Sequence, residues 1–377
     1  MKIGMVCYPT YGGSGIVATE LGKELAKRGH EVHFISYATP TRLDSFLDNI
    51  YYHEVEIPHY PLFEFHLYTL ALAGKMIDVI KYEKLDILHV HYAVPHAVSG
   101  ILTRDILAGR NFKLVTTLHG TDITLVGLEP AFHPIVKYSL DKSDAVTSVS
   151  NYLKERTILN FNTEKEIDVI YNFIDTDEFT KKECSHIRKN FAADDESIIM
   201  HISNFRPVKR VQDTIRILSK VLEKKKVKLV LIGDGPERSE CERLARELNI
   251  SDKVRFLGKQ QAVPELLSCA ELFLLPSQSE SFGLSELEAM SCGVPVVAAN
   301  IGGIPEVVSH GETGFIAEMG DISRMARYVT ELLTNKKKWE TFSENSFKRA
   351  KEHFDSKMII SQYEQLYSRL FKGQALI

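Results

Sequence analysis

Short apolar runs alternate with helix-length amphipathic segments from the first residues onward, the pattern of repeated strand–helix units on a parallel sheet. Ile3–Cys7 predicts a buried strand, Tyr8–Gly15 a loop, and Ile16–Arg28 a helix with Val17, Leu21 and Leu25 on one stripe, ended by Gly29. Further strands are predicted at Val32–Ser36, Ile87–Val90, Leu114–Leu118, Ala145–Ser148 and Asp168–Tyr171. A polar stretch, Thr176–Glu196, interrupts the pattern, which restarts with strands at Ile198–Ile202, Lys228–Ile232, Val254–Leu257, Leu272–Leu275, Val294–Ala298 and Gly314–Ala317 and a helix at Val211–Glu223. The expectation is an α/β protein of two Rossmann-like, doubly wound domains with parallel sheets, residues 1–171 and 172–355. The amphipathic segment Ser356–Phe371 predicts that a C-terminal helix, within residues 356–377, packs back on the first domain. Ligands of such sheets bind at the carboxyl ends of the strands, so two facing halves predict a substrate between them.

The length of 377 residues and the 44% hydrophobic content suit two domains, each with its own core. The formal net charge is −4; residues 1–171 carry 16 basic against 20 acidic side chains, and residues 172–377 carry 30 of each. Neither half is a basic platform, which argues against a nucleic-acid partner. Five scattered cysteines without a Cys-x-x-Cys pair point to a reducing compartment. No secretory leader and no 18-residue apolar run is read, so a cytoplasmic protein without a membrane partner is expected.

Three segments carry candidate chemistry. Gly12-Gly13-Ser14-Gly15 lies between the first strand and first helix, where glycines admit a ligand to the backbone and a helix start attracts an anion; Gly13 and Gly15 are donor-site candidates. A dinucleotide fingerprint fits loosely, but Ser36-Tyr37 stands where a ribose-binding acid would end the second strand. Asn204-Phe205-Arg206-Pro207-Val208-Lys209-Arg210 follows the first strand of the second half with three cations and no acid before Asp213, which suits a diphosphate. In Ser279-Glu280-Ser281-Phe282-Gly283-Leu284-Ser285-Glu286-Leu287-Glu288, Phe282, Gly283 and Leu284 would form the first turn of a helix with amides aimed at phosphate or sugar oxygens. Two acids beside an anion site make electrostatic sense when they accept hydrogen bonds from hydroxyls, which a sugar nucleotide has on both its sugars.

With these residues in view the chain resembles, nearly end to end, the retaining glycosyltransferases of family four, with the GT-B architecture of two facing Rossmann-like domains. The resemblance rests on Glu280 and Glu288 with seven residues between them, Gly293-Val294-Pro295-Val296, Gly302-Gly303-Ile304-Pro305-Glu306, Asn172-Phe173-Ile174-Asp175 and Gly233-Asp234-Gly235-Pro236. It implies a metal-independent transferase with no resident cofactor. Glu288 would accept bonds from the uridine ribose, Glu280 would hold the transferred sugar, Lys209 would neutralise the diphosphate, and His119 would stand beside the donor sugar. The family usually has Arg at position 204; here Asn204 stands, and Arg206 is expected to supply the charge. The catalytic set is thus His119, Arg206, Lys209 and Glu280, with Phe282, Gly283, Leu284 and Glu288 completing the donor site.

Cys7-Tyr8-Pro9, Gly12-Gly13-Ser14-Gly15, His91-Tyr92-Ala93-Val94-Pro95-His96 and Leu118-His119-Gly120-Thr121-Asp122 resemble one subgroup of that family. That likeness implies UDP-GlcNAc as donor, the hydroxyl of L-malate as acceptor, and a place in bacillithiol biosynthesis; it leaves a homodimer open. A dicarboxylate acceptor needs donors or cations from the first domain, for which Ser14, Tyr92, Thr121 and Lys137 are the candidates. His89-x-His91 with His96 lacks a carboxylate or cysteine to complete a metal site, and Asp175-Thr176-Asp177 imitates the metal-binding Asp-x-Asp of the other glycosyltransferase fold from within the interdomain motif. The alternatives are another acceptor, such as an inositol phosphate or a lipid, a nucleotide-sugar epimerase, and a nicotinamide-dependent or regulatory nucleotide-binding protein.

Overall fold

The computed structural model describes residues 1–10, 12–43, 46–58 and 66–372. Two compact units divide the chain: Met1–Asn172 with the chain from Lys357 onward, and Phe173–Ser356. The first holds seven strands, β1 (Lys2–Val6), β2 (Glu31–Ser36), β3 (Ile50–Glu54), β4 (Ile87–His91), β5 (Lys113–Leu118), β6 (Ala145–Ser148) and β7 (Ile167–Val169). Their order is β3-β2-β1-β4-β5-β6-β7, and every neighbouring pair is parallel. Helices on both faces of a parallel sheet explain why the central strands read as continuous apolar runs. The edge strand β3 does not: in Ile-Tyr-Tyr-His-Glu no residue is fully buried, so its pattern gave no strand. The first helix, Gly13–Lys27, begins three residues earlier than its apolar stripe indicates.

The second unit holds β8 (Ser197–Ile202), β9 (Val227–Ile232), β10 (Val254–Gly258), β11 (Leu272–Leu275), β12 (Val296–Ala299) and β13 (Gly314–Ala317), ordered β10-β9-β8-β11-β12-β13 and again all parallel. Its core joins Ile199, Leu229, Leu231, Leu272 and Leu274 of the sheet to Val211, Ile215 and Leu218 of the helix Val211–Leu222. At the boundary the two chain crossings run side by side: Ile174 N–H donates to Phe354 O at 2.9 Å and Ser356 N–H to Ile174 O at 2.9 Å. Asp175 Oδ1 accepts the amide of Asp177 at 2.9 Å, and Thr176 donates to Asp355, so Asp175-Thr176-Asp177 builds a turn here.

The last helix, Ser356–Lys372, is anchored in the first unit by charge and by a buried hydrogen bond. Arg28 Nη1 meets Glu364 Oε2 at 2.7 Å, and the hydroxyl of the buried Tyr367 meets His89 Nδ1 at 2.7 Å. Among the described residues no helix is long and apolar enough to cross a membrane, and the five cysteines are unpaired. Tyr367→Phe keeps the ring but leaves a buried imidazole nitrogen unbonded; it should lower stability by about 1–3 kcal/mol in chemical denaturation, and an unchanged midpoint would refute the anchoring role.

Candidate active site

Strand order reverses once in each sheet, between β1 and β4 in the first unit and between β8 and β11 in the second. Connections leaving such neighbouring strands diverge to opposite faces, opening a crevice at their carboxyl ends where ligands of this architecture sit. In the second unit the loop after β8 and the loop after β11 meet there. Gln278 N–H donates to Val208 O at 2.7 Å, and Lys209 Nζ donates to Glu280 Oε1 at 2.5 Å with 21% and 12% of the two side chains exposed. Lys209 closes a 3-10 turn, Pro207–Lys209. Of the neighbouring cations, Arg210 is spent on Asp213, Nε to Oδ2 at 2.6 Å, whereas Arg206 is exposed and its guanidinium makes no hydrogen bond or ion pair among the described residues.

Neighbouring residues fix the backbone around this pair. His201, on β8 and within electrostatic reach of the pair, is buried, Nδ1 2.8 Å from Leu274 O and Nε2 2.8 Å from Ser203 Oγ, and burial lowers its pKa to about 4. It is therefore neutral. Gly303 N–H donates to Glu280 O at 3.0 Å, and Gly302, at φ 56°, passes so close that a Cβ would overlap that carbonyl. The Gly-Gly pair thus fixes the backbone carrying Glu280.

The helix after β11 runs Leu284–Ser291, two residues later than its sequence suggests: Gly283 is the N-cap at φ 107°, and Phe282 lies outside the first turn. The Phe282 ring is buried edge-on against Phe354 at 5.6 Å, so only its backbone is available to a ligand. No N-cap side chain covers this helix start. Glu288 is 5% exposed. Glu286, which the sequence gave no reason to single out, is fully buried with neither carboxyl oxygen hydrogen-bonded, and it presses on the Cα of Gly283. Burial first, and then the charge of Glu280, push its pKa well above the ordinary carboxylate range, which favours its neutral form. Among the described residues the buried side-chain atoms without a partner are Asn172 Oδ1, Asn204 Oδ1, Ser277 Oγ and both Glu286 oxygens. Apart from Asn172, all follow β8 or β11, which concentrates unmet hydrogen-bonding capacity at the reversal.

In the first unit the corresponding edge is bridged by neutral groups. Tyr92, held after β4 at φ 90°, donates its hydroxyl to Ser14 Oγ at 2.7 Å on the helix after β1. His119 stands beside Tyr92, ring centroids 5.3 Å apart, with Nε2 2.8 Å from His91 Nδ1. Asp122 fastens the two loops together, accepting Ala93 N–H at 2.8 Å and Gly120 N–H at 3.1 Å; burial raises its pKa to about 6. Gly15 packs on the backbone of Tyr8 and Thr10, whereas a Cβ at the exposed Gly13 would meet nothing within 4 Å among the described residues. The histidines of the metal alternative are otherwise engaged. His89 bonds Tyr367 and Thr117, His91 bonds His119 and Met5 Sδ, and His96 bonds His91 O and Tyr68.

The structure thus joins Lys209 to Glu280 and Ser14 to Tyr92, with His119 adjacent to the latter pair. Thr121 is exposed at the start of a four-residue helix. Lys137 belongs elsewhere: its ammonium lies 3.6 Å from Asp141 Oδ2 on its own helix and donates to Asn162 O at 3.0 Å, a contact that ties that helix to the end of the next. Glu286 and Asp122 were missed because burial, not residue type, distinguishes them.

A carboxyl whose folded pKa is raised costs stability once pH passes its unfolded value, about 4.3, and the cost grows until its folded value is reached. Glu286→Gln keeps the shape of the neutral acid. Its unfolding midpoint should gain on the parent's as pH rises above that unfolded value. A margin independent of pH would show that Glu286 does not titrate as described.

Residues 11–178 match the family model "Glycosyltransferase Family 4" and residues 184–349 the model "Glycosyl transferases group 1". The N-acetyl-alpha-D-glucosaminyl L-malate synthase of Bacillus anthracis is 46% identical over 368 residues, 97% of this chain and 96% of its own. An uncharacterized glycosyltransferase of Methanocaldococcus jannaschii is 31% identical over 334 residues, 83% of this chain and 84% of its own. Among solved structures, Anabaena HepE in complex with UDP-glucose superposes with a TM-score of 0.84 at 23% identity, covering 98% of this chain and 100% of its own, a likeness of fold. Motifs, fold and relatives agree: the chain belongs to the family-four glycosyltransferases, built on the GT-B fold.

Proposed function

We propose that the protein is a retaining, metal-independent transferase that moves N-acetylglucosamine from UDP-GlcNAc to the hydroxyl of L-malate. The observation that carries this reading is the 46% identity, across nearly the whole of both chains, to a relative named for that product. The acceptor loops and the donor loops lie inside the matched span.

In this reading Lys209, Arg206 and the helix start at Gly283 and Leu284 stabilise negative charge growing on the departing uridine diphosphate. Lys209 must exchange Glu280 for a phosphate oxygen, which frees Glu280 to accept hydroxyls of the transferred sugar while Glu288 accepts those of the ribose. Gly13 opens the first unit's helix start to the ligand, while Gly15 lets the loop after β1 close on that helix; Ser14, Tyr92 and Thr121 bind the acceptor, and His119 bonds the donor sugar. The acceptor oxygen bonds to the anomeric carbon from the face that the phosphate leaves, and its proton passes to a donor phosphate oxygen. No side chain serves as a covalent nucleophile.

Incubation with UDP-GlcNAc and L-malate should give a glycoside of the expected mass, with the donor's anomeric configuration by NMR, equally with and without a chelator. Product with inositol phosphate and none with malate would overturn the acceptor assignment, and loss with chelator the metal independence. Lys209→Ala should lower kcat by about 10²–10³-fold with an unchanged circular dichroism spectrum. Arg206→Ala should also depress turnover; unaltered kinetics would remove Arg206 from the charge-stabilising set.

A further inference from the structure

A second cluster of ligating side chains lies at the opposite edge of the first unit's sheet, where β2 pairs with the terminal strand β3. In the parallel register His33 faces Tyr51 and Ile35 faces His53, so His33 and His53 occupy one face, two positions apart. His33 is buried; its Nδ1 lies 2.9 Å from His53 Nε2, and its Nε2 lies 3.0 Å from Glu31 Oε1. Lys2 Nζ holds Glu31 Oε1 at 2.6 Å, and the Tyr51 ring stacks on His33 at 4.9 Å. Glu83 closes the helix Tyr68–Glu83 beside them, and one ligating atom from each of His33, His53 and Glu83 lies within 4.8 Å of the others.

We propose that His33 Nδ1, His53 Nε2 and the Glu83 carboxylate form a Zn²⁺ site, with a water as fourth ligand. The donor set, two imidazoles and one carboxylate, is one that zinc takes tetrahedrally. The outer contact is also in place: a carboxylate on the second nitrogen of a ligating histidine fixes its tautomer and aims the ring, which Glu31 does for His33. Binding replaces the imidazole–imidazole hydrogen bond. The nitrogens open from 2.9 Å to roughly 3.3 Å, as two zinc–nitrogen bonds of about 2.0–2.1 Å require, and the His53 proton moves to Nδ1. Glu31 is the first residue of β2, at the amino end of the sheet, whereas Ser14 and Tyr92 meet at its carboxyl end. The metal therefore staples the exposed strand β3 and the end of the helix Tyr68–Glu83 to β2, apart from the transfer chemistry.

Calorimetric titration of Zn²⁺ into the chelator-treated full chain tests this. The expected result is one equivalent bound, with affinity falling at least a hundredfold in His53→Ala and in Glu83→Gln, and about 10–100-fold in Glu31→Gln. Zn²⁺ should raise the unfolding midpoint of the parent and not that of Glu83→Gln, while sugar transfer by Glu83→Gln stays within twofold of the parent. Should His53→Ala fail to fold, Glu83→Gln decides alone. Absence of stoichiometric binding by the parent, or binding undiminished in Glu83→Gln, would overturn the proposal.

Discussion

At the reversal of the second sheet the ammonium of Lys209 and the carboxyls of Glu280 and Glu288 all act on the buried Glu286. Lys209 touches Glu280, and both Glu280 and Glu288 push the Glu286 pKa upward while Lys209 opposes them. Three ionised carboxylates around one cation would repel a diphosphate. Burial counters that by favouring the neutral form of Glu286, and the Lys209–Glu280 pair cancels one further charge. The uncapped helix start at Leu284 adds partial positive charge at the same edge. In the proposed reading, anion binding here depends on burial disfavouring charge on one acid and on Lys209 changing partners.

That exchange sets a requirement on the ligand. Removing one member of a partly buried pair leaves the other charge uncompensated, at a cost of about 3–5 kcal/mol for a fully buried pair. Lys209 can leave Glu280 only for a stronger anion, and Glu280 then needs hydroxyl donors in its place. A sugar nucleotide brings both together, a phosphate for the lysine and hydroxyls for the acid, which is the physical content of the proposed donor. A simple phosphate would satisfy the lysine and strand the glutamate.

Much of this was legible in the sequence where a residue's role follows from its neighbours in the chain. The alternation of apolar runs and helical stripes named both sheets, because parallel strands covered on both faces must be apolar. The edge strand β3 escaped, since its partly exposed Tyr, His and Glu residues are held by pairing with β2 and not by burial. Glu280 and Lys209 were visible as chemistry. Glu286 was not, because nothing local separates a buried acid on a helix from a solvated one. Ser14 and Tyr92 are 78 positions apart and meet only because β1 and β4 are neighbours in the sheet. Lys137 was drawn to the site by its charge and its place on a helix, and the structure gives it to the Asn162 carbonyl instead.

The two reversals are bridged by different chemistry, and the difference bears on how an anionic acceptor would be held. In the second unit the bridge is ionic; in the first it is the Tyr92–Ser14 hydroxyl pair, beside a histidine that burial keeps neutral. With Lys137 committed elsewhere, the polar groups gathered here are neutral dipoles: two hydroxyls, an imidazole and the start of a 15-residue helix with no side-chain cap and no acid in its first turn. Asp122, the nearby acid, is turned inward and saturated by the amides of Ala93 and Gly120, so it fixes the loops without presenting its charge. Recognition of a carboxylate by oriented dipoles depends on geometry where an ammonium would act at longer range. That places the burden of acceptor selectivity on the rigidity of the loops after β4 and β5. The interlocked histidines, threonine and tyrosine beneath them, with ring nitrogens held by hydrogen bonds, supply that rigidity.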